Sequence, residues 1–228
     1  LFPCADPSPF EQAVLSLSVR AWRESPPERL DSYPPVKAGT CGGKVLLTAL
    51  WEAEEMRGEA SRAAKVSDIA ARRFPSDEGA AALEMKMVWA LLRAGQDREA
   101  LARALTLREK YGPGSAWAQS QPAPVREKAA AELAGMLRTL SERKFDEGIR
   151  SGERSAMSSA AAVMEEYFAA RSGEPSDEDG GLRLKWAIAL LGSGDREGGV
   201  LLLEELVGEQ RGDVTGERAA VLYAETMI

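Results

Sequence analysis

Groups able to do chemistry are sparse in this chain. Its 228 residues include no histidine and no asparagine. Missing histidine removes Ser-His and Cys-His nucleophilic pairs, His-bearing zinc sites and the commonest general base at neutral pH. Carboxylates remain. The densest group is Glu174, Asp177, Glu178 and Asp179, but a calcium loop needs alternating oxygen ligands around a sharp glycine turn and a distal Glu. Acids at a helix start are already explained by the helix dipole. Glu54 with Glu55, and Glu204 with Glu205, are sequence neighbours that project to different sides of a helix, so neither pair suggests an acid and base acting together. AGTCGGKV at 38–45 has the outline of a phosphate loop, yet Ala38 and Val45 stand where Gly and Ser or Thr are required, and no strand precedes it. It reads instead as a flexible lead into a helix from Lys44. No catalytic residue, metal ligand or cofactor is expected, and the chain is read as not an enzyme.

The two thiols are Cys4 and Cys41. They flank the first helical segment, and a disulfide between them would tie the N-terminal arm to the start of the second helix, as suits an oxidising compartment. Two unrelated thiols in a reducing cytosol are the alternative, because spacing alone does not give the Cα separation a disulfide needs.

Composition sets the frame for these groups. A chain that is 44% hydrophobic, rich in Ala, Leu, Glu and Arg, with 21 Gly and 12 Pro falling mostly between apolar segments, is a helical protein with a substantial core. A net charge of −7 gives no attraction for nucleic acid or anionic membrane surfaces. Arg62, Lys65, Arg72 and Arg73 lie at helical spacing among acids and read as a solvated face. No stretch approaches the roughly 18 consecutive apolar residues that span a bilayer. With Leu1 in place of Met, targeting evidence is missing rather than negative.

Helix signals recur along the chain and strand signals are nearly absent. Ser8-Pro9-Phe10-Glu11 is a capping box opening a helix to about Arg23. The stretch 25–43 carries too many prolines and glycines to be one element, with one short turn expected at ERLDSY. Helices are then expected at 44–57, 60–73, 77–94, 97–111, 125–150, 154–171, 177–192, 196–210 and 214–228, with a break at GPGSAWAQSQPAP. Helices of this length on short turns pack antiparallel to their neighbours.

The chain also repeats itself. PSDE occurs at 75–78 and 175–178, as a proline stop, a serine cap and first-turn acids. Beyond it Leu83, Lys86, Ala90, Leu91, Leu92 and Gly95 correspond to Leu182, Lys185, Ala189, Leu190, Leu191 and Gly194 at a constant spacing of 99, the distance from 83 to 182. A spacing near three times 33 points to helical-hairpin repeats.

Ala90, Gly95 and Ala100, followed by Tyr111-Gly112-Pro113, resemble the tetratricopeptide repeat. The second copy matches at Ala189 and Gly194 but has Gly199 where the alanine is expected, and KFDEG at 144–148 is a weaker third match. The block is also similar to repeats of bacterial cell-envelope proteins of the outer-membrane assembly lipoprotein type. The resemblance covers about 44–228, and 1–43 is read as a capping helix and Pro/Gly-rich connection. It implies an all-α chain, an α-solenoid of antiparallel helical hairpins in a tetratricopeptide-like right-handed superhelix of about nine to ten helices, continuing beyond the C-terminal end. It further implies a non-enzymatic protein–protein interaction scaffold, periplasmic or outer-membrane-associated, in an envelope machine for assembly, secretion or motility. Cytoplasmic placement is the alternative compartment. The partners are other proteins of a larger complex, with no nucleic acid and no membrane span. A peptidoglycan- or glycan-binding module, or an enzyme accessory domain on the same frame, is the alternative function.

In the repeat family the first helix of each hairpin lines the groove, which implies Met85, Trp89, Leu92 and Arg93 in the first copy and Leu184, Ile188 and Leu191 in the second. Trp89 and Arg93 are one turn apart and would make an anchoring pair. The same residues could equally be packing core. Trp117, in the proline-bearing break, either plugs a gap between repeats or waits for a partner.

Overall fold

The computed structural model describes residues 16, 18–22, 25–37, 40–74, 78–171, 179–210 and 212–227, with only the backbone of 27, 28, 35 and 78–80. Ser8-Pro9-Phe10-Glu11, Cys4, Pro75-Ser76-Asp77 and 175–178 lie outside them. After a helical stretch at 18–22, a 3-10 helix spans Pro27–Ser32. The α-helices are α1 (Pro34–Lys37), α2 (Cys41–Met56), α3 (Ala60–Arg73), α4 (Glu78–Arg93), α5 (Asp97–Tyr111), α6 (Ala116–Ser120), α7 (Ala123–Ser151), α8 (Arg154–Ala170), α9 (Gly180–Ser193), α10 (Arg196–Glu209) and α11 (Val214–Thr226). Among the described residues there is no strand, so the chain is all-α. It divides into two compact units, Leu1–Ala129 and Ala130–Ile228.

In the first unit α2, α3, α4 and α5 each pack on the next, and α2 also reaches α4. In the second unit the succession is α8, α9, α10 and α11, and α9 also reaches α11. Contact with the next helix and the next but one is the arrangement of stacked hairpins, solenoid-like within each unit. Turns set the hairpins. Gly95 closes α4 with φ 71° and Gly194 closes α9 with φ 90°, left-handed conformations that side chains with a Cβ adopt at a cost of about 1–2 kcal/mol.

The helices at 60–73 and 97–111 stand where their sequence placed them, and three departures have local causes. Helix α2 begins at Cys41 rather than Lys44, because the Thr40 hydroxyl accepts a hydrogen bond from Gly43 N at 3.3 Å and so caps a first turn of Cys-Gly-Gly. Residues 41–45 are therefore helix rather than a flexible lead, and 38–39 lie outside the described residues. The break after α5 holds the short α6, capped by Ser115, whose hydroxyl accepts from Ala118 N at 3.1 Å. The 25–43 connection holds the 3-10 helix and α1, so the described residues have more helices than the nine or ten expected. Leu30 and Val36 from these short pieces are buried, which docks them on α2 and α3.

That docking is clamped by Asp31. Arg73 Nε donates to its Oδ1 at 2.8 Å and Arg73 Nη2 to its backbone carbonyl at 3.1 Å, while Arg72 Nη2 donates to Oδ2 at 3.4 Å. Burial pushes the Asp31 carboxyl up, but the hydrogen bond and charge of Arg73, with those of Arg72, outweigh it and hold the group below the usual aspartate value of 3.8. A depressed carboxylate stabilises above its unfolded pKa, and its contribution is lost as pH falls through the folded value. The group is partly exposed, so the amount is under about 1 kcal/mol. The protection factors of the amides at 29–33, exchange rates corrected for their intrinsic pH dependence, are expected to stay constant from about pH 8 to 5 and to fall below about pH 4. Asp31→Asn is expected to show the lower protection already at pH 7, and equal protection in both proteins would refute the clamp.

The block α2 to α5 recurs as α7 to α10. Gly58 and Gly152, both at positive φ, close the first helix of each block and set a spacing of 94, from 58 to 152. Lys86 stands over the Trp51 ring at 5.4 Å, and its counterpart Lys185 stands over Phe145 at 5.8 Å. Each cation joins the third helix of its block to the first. Phe145 lies within KFDEG, so by the spacing of 94 that stretch at 144–148 corresponds to 50–54, in the first helix of the first block.

Candidate functional site

The odd-numbered helices of the second unit leave a groove between them. Its volume is about 710 Å³, and α7, α9 and α11 line it. The floor is apolar: Phe145 from α7, Leu182, Leu184 and Ile188 from α9, and Val221 and Leu222 from α11. Leu184 and Ile188 share one face of α9 because residues four apart on a helix are neighbours. Val221 is 59% exposed, so the groove's α11 wall presents apolar surface to water.

The rim is charged. Arg138 Nε and Glu142 Oε1 pair along α7 at 3.6 Å, and Lys185, Glu217 and Arg218 complete it. Three cations thus face two carboxylates in a chain whose overall charge is −7. On another side of α9 a recess of about 540 Å³ is lined by small residues, by Trp186, Leu190, Leu201 and Leu202, and by the acids Glu165, Asp195 and Glu205. Two of these acids are engaged: Asp195 caps Gly198 at 3.0 Å and Glu205 accepts from Arg183 at 3.0 Å. The groove is able to desolvate a ligand's side chain on its apolar floor and to orient it with the charges at its edge.

The residues expected at a partner surface are split between core and groove. Leu184 and Ile188 come together in the groove floor. Met85 and Leu92, each 2% exposed, are interior packing of the first unit and offer no surface. Trp89 is half-buried, and Arg93 is exposed and ion-paired with Glu55, joining α4 to α2. Leu191 lies against the backbone of Gly199, where an added Cβ would meet its Cδ2 and Cγ at 2.7 Å. That contact explains why the second copy has glycine where the repeat pattern expects alanine. Trp117, 9% exposed, packs edge-on against Tyr111 at 4.9 Å and fills the joint between α5 and α6. Cys41 is disulfide-bonded, and Cys4 lies outside the described residues.

Two buried carboxylates elsewhere are ion-paired. Glu54 sits between Arg62 Nε at 3.3 Å and Arg57 Nη1 at 3.7 Å. Asp179, from the acidic cluster, accepts the Tyr167 hydroxyl at 2.8 Å and pairs with Arg171. Burial and then the neighbouring Glu84 charge push the Tyr111 hydroxyl far up, so it stays a hydrogen-bond donor to Glu84 at 3.0 Å. Among the described residues no group of three His, Cys, Asp or Glu side chains is placed to hold a metal ion, and no helix is long and apolar enough to cross a membrane.

Phe145, Arg138, Arg218, Val221 and Leu222 were not expected at a site. The available signal was the apolar and basic run Arg218, Val221, Leu222 on a terminal helix. Compared with protein-family models, with curated proteins and with solved structures, the chain matches none.

Proposed function

We propose that this chain is a non-enzymatic, tetratricopeptide-like scaffold that holds a segment of another protein in the α7, α9 and α11 groove. The observation that carries the reading is that groove, with its aliphatic and aromatic floor and mixed-charge rim. A helix or strand with one or two apolar anchors flanked by acidic residues fits it, because three rim cations outnumber two carboxylates. The disulfide state of Cys41 supports an oxidising compartment. The resemblance to envelope repeat proteins supports a multiprotein machine of the bacterial envelope for assembly, secretion or motility.

The test is crosslinking in native cells followed by mass spectrometry, with wild type and Val221→Asp. Because Val221 is largely exposed, the substitution should leave helicity and melting unchanged within about 0.5 kcal/mol while placing a charge on the groove wall. The expected result is at least about a tenfold weaker yield of one specific partner, as follows from a loss of about 1.4 kcal/mol in affinity. An unchanged crosslink profile would remove the groove as the binding surface.

A further inference from the structure

Two joints occupy equivalent places in the two blocks and are built with opposite chemistry. In the first block Glu84 on α4 accepts from Lys110 on α5 at 2.7 Å. In the second, Arg183 on α9 pairs with Glu209 on α10 and donates to Glu205 at 3.0 Å. The spacing is 99 both from 84 to 183 and from 110 to 209, so the same contact is present with both signs reversed. The inner member of each pair is mostly buried, 11% exposed for the Glu84 side chain and 8% for that of Arg183.

The other joint is reversed in size. On α8, Met157 lies where a Cβ on Gly148 of α7 would meet its Sδ at 2.9 Å and a Cβ on Gly192 of α9 would meet its Cγ at 2.9 Å. The first-block counterparts, by the spacings of 94 and 99, are Ala63 for the methionine and Glu54 and Arg93 for the glycines. The second block has a large residue between two glycines, and the first has a fully buried alanine at the matching position, with glutamate and arginine where the glycines stand.

We infer that these reversals direct pairing: they stop a helix of one block from docking on the other while the chain folds. Duplicated helical blocks are prone to such misassembly, because their apolar faces are alike. If α4 packed on α10, Glu84 would face Glu205 and Glu209. If α9 packed on α5, Arg183 would face Lys110. The inner charge would then lie mostly buried without its counter-ion and facing its own sign, which is strongly disfavoured. If α8 entered the first block, Met157 would take the place of the fully buried Ala63 with the buried Glu54 where it now has Gly148, and be overpacked, and α3 in the second block would leave a void. Correct pairs satisfy both joints. The device does not depend on what the groove binds.

The test is refolding from denaturant, scored as the yield of native monomer by size exclusion and circular dichroism. Glu84→Arg with Lys110→Glu retains an attractive pair within the first block but gives both blocks the same polarity. This variant is expected to lose native monomer several-fold to misfolded chains and dimers. Adding Arg183→Glu, Glu205→Lys and Glu209→Lys restores the opposition in the reverse sense and is expected to recover the yield. The added changes are in the other block, so they do not repair local damage such as the lost Tyr111 hydrogen bond. Failure of the first variant to fold counts as zero yield and leaves the rescue to decide. Wild-type yield in the first variant, or no recovery in the second, overturns the inference.

Discussion

Replacing Trp51 with alanine is expected to destabilise the first unit by about 3–5 kcal/mol, the cost of removing a fully buried large aromatic. Trp51 is among the largest fully buried side chains, at 1% exposed. It stands on α2 under the Lys86 ammonium, at the contact that stacks one hairpin on the next. Alanine leaves a cavity and removes the ring over which the cation sits. Phenylalanine should behave differently. The indole Nε1 is buried without a hydrogen-bond acceptor, a condition that costs about 1–3 kcal/mol, and phenylalanine removes it together with part of the ring. Phe145 already fills the equivalent place in the second block, with Lys185 above it. Trp51→Phe is therefore expected to cost less than about 1.5 kcal/mol, as conservative core exchanges do. Urea unfolding of the three proteins, followed by circular dichroism, measures both values. Equal losses for alanine and phenylalanine would show that the indole makes an interaction the ring stack does not account for.

What could be read beforehand depended on which interactions are local. Helices α3 and α5 were legible to the residue because Gly58, Gly95 and Gly112 mark their limits, and turn chemistry acts over three or four positions. Cys41-Gly42-Gly43 misled because glycine is usually read as loop. Only the Thr40 hydroxyl, bonded back to Gly43 N, makes it a first turn. Leu184 and Ile188 were legible as one apolar face of α9. Their companions Phe145 and Val221 were not, because α7 and α11 meet α9 through contacts between alternate helices. No spacing within a single helix reports that. The fate of Met85 and Leu92 was undecided for the same reason: a helix apolar on two faces can be a groove wall or a sandwiched core helix, and its neighbours decide.

The extent of the duplication was hidden by chemistry. Self-similarity is found through identical residues, and Glu84 against Arg183, Lys110 against Glu209, or Ala63 against Met157 count as differences. With the helices in place, the same pairs are compensated exchanges across one joint. Such exchanges preserve a contact while erasing the likeness, so a repeated block can be better conserved in its pairings than in its letters.

Met157 offers the sharpest test of that view. Truncation to alanine empties the space between Gly148 and Gly192 and is expected to cost about 2–5 kcal/mol, in the range for buried methionine. Gly148→Ala alone is expected to destabilise, because its Cβ would approach Met157 Sδ at 2.9 Å and overpacking costs about 1–3 kcal/mol, more than the roughly 1 kcal/mol that alanine gains over glycine within a helix. In the presence of Met157→Ala the sulfur is gone. The other neighbours of that Cβ, Met157 N at 3.4 Å and Ala156 C at 3.5 Å, are at or near ordinary contact distance. The same Gly148→Ala change should then stabilise, through propensity and partial filling of the cavity. A double-mutant cycle by urea unfolding measures the coupling, which should lie at about 1–3 kcal/mol, within the range for side chains in direct contact. The reversal of sign is the critical result. If Gly148→Ala has the same effect in both backgrounds, Met157 and Gly148 are not a matched pair, and the size difference between the blocks reflects drift at two independent sites.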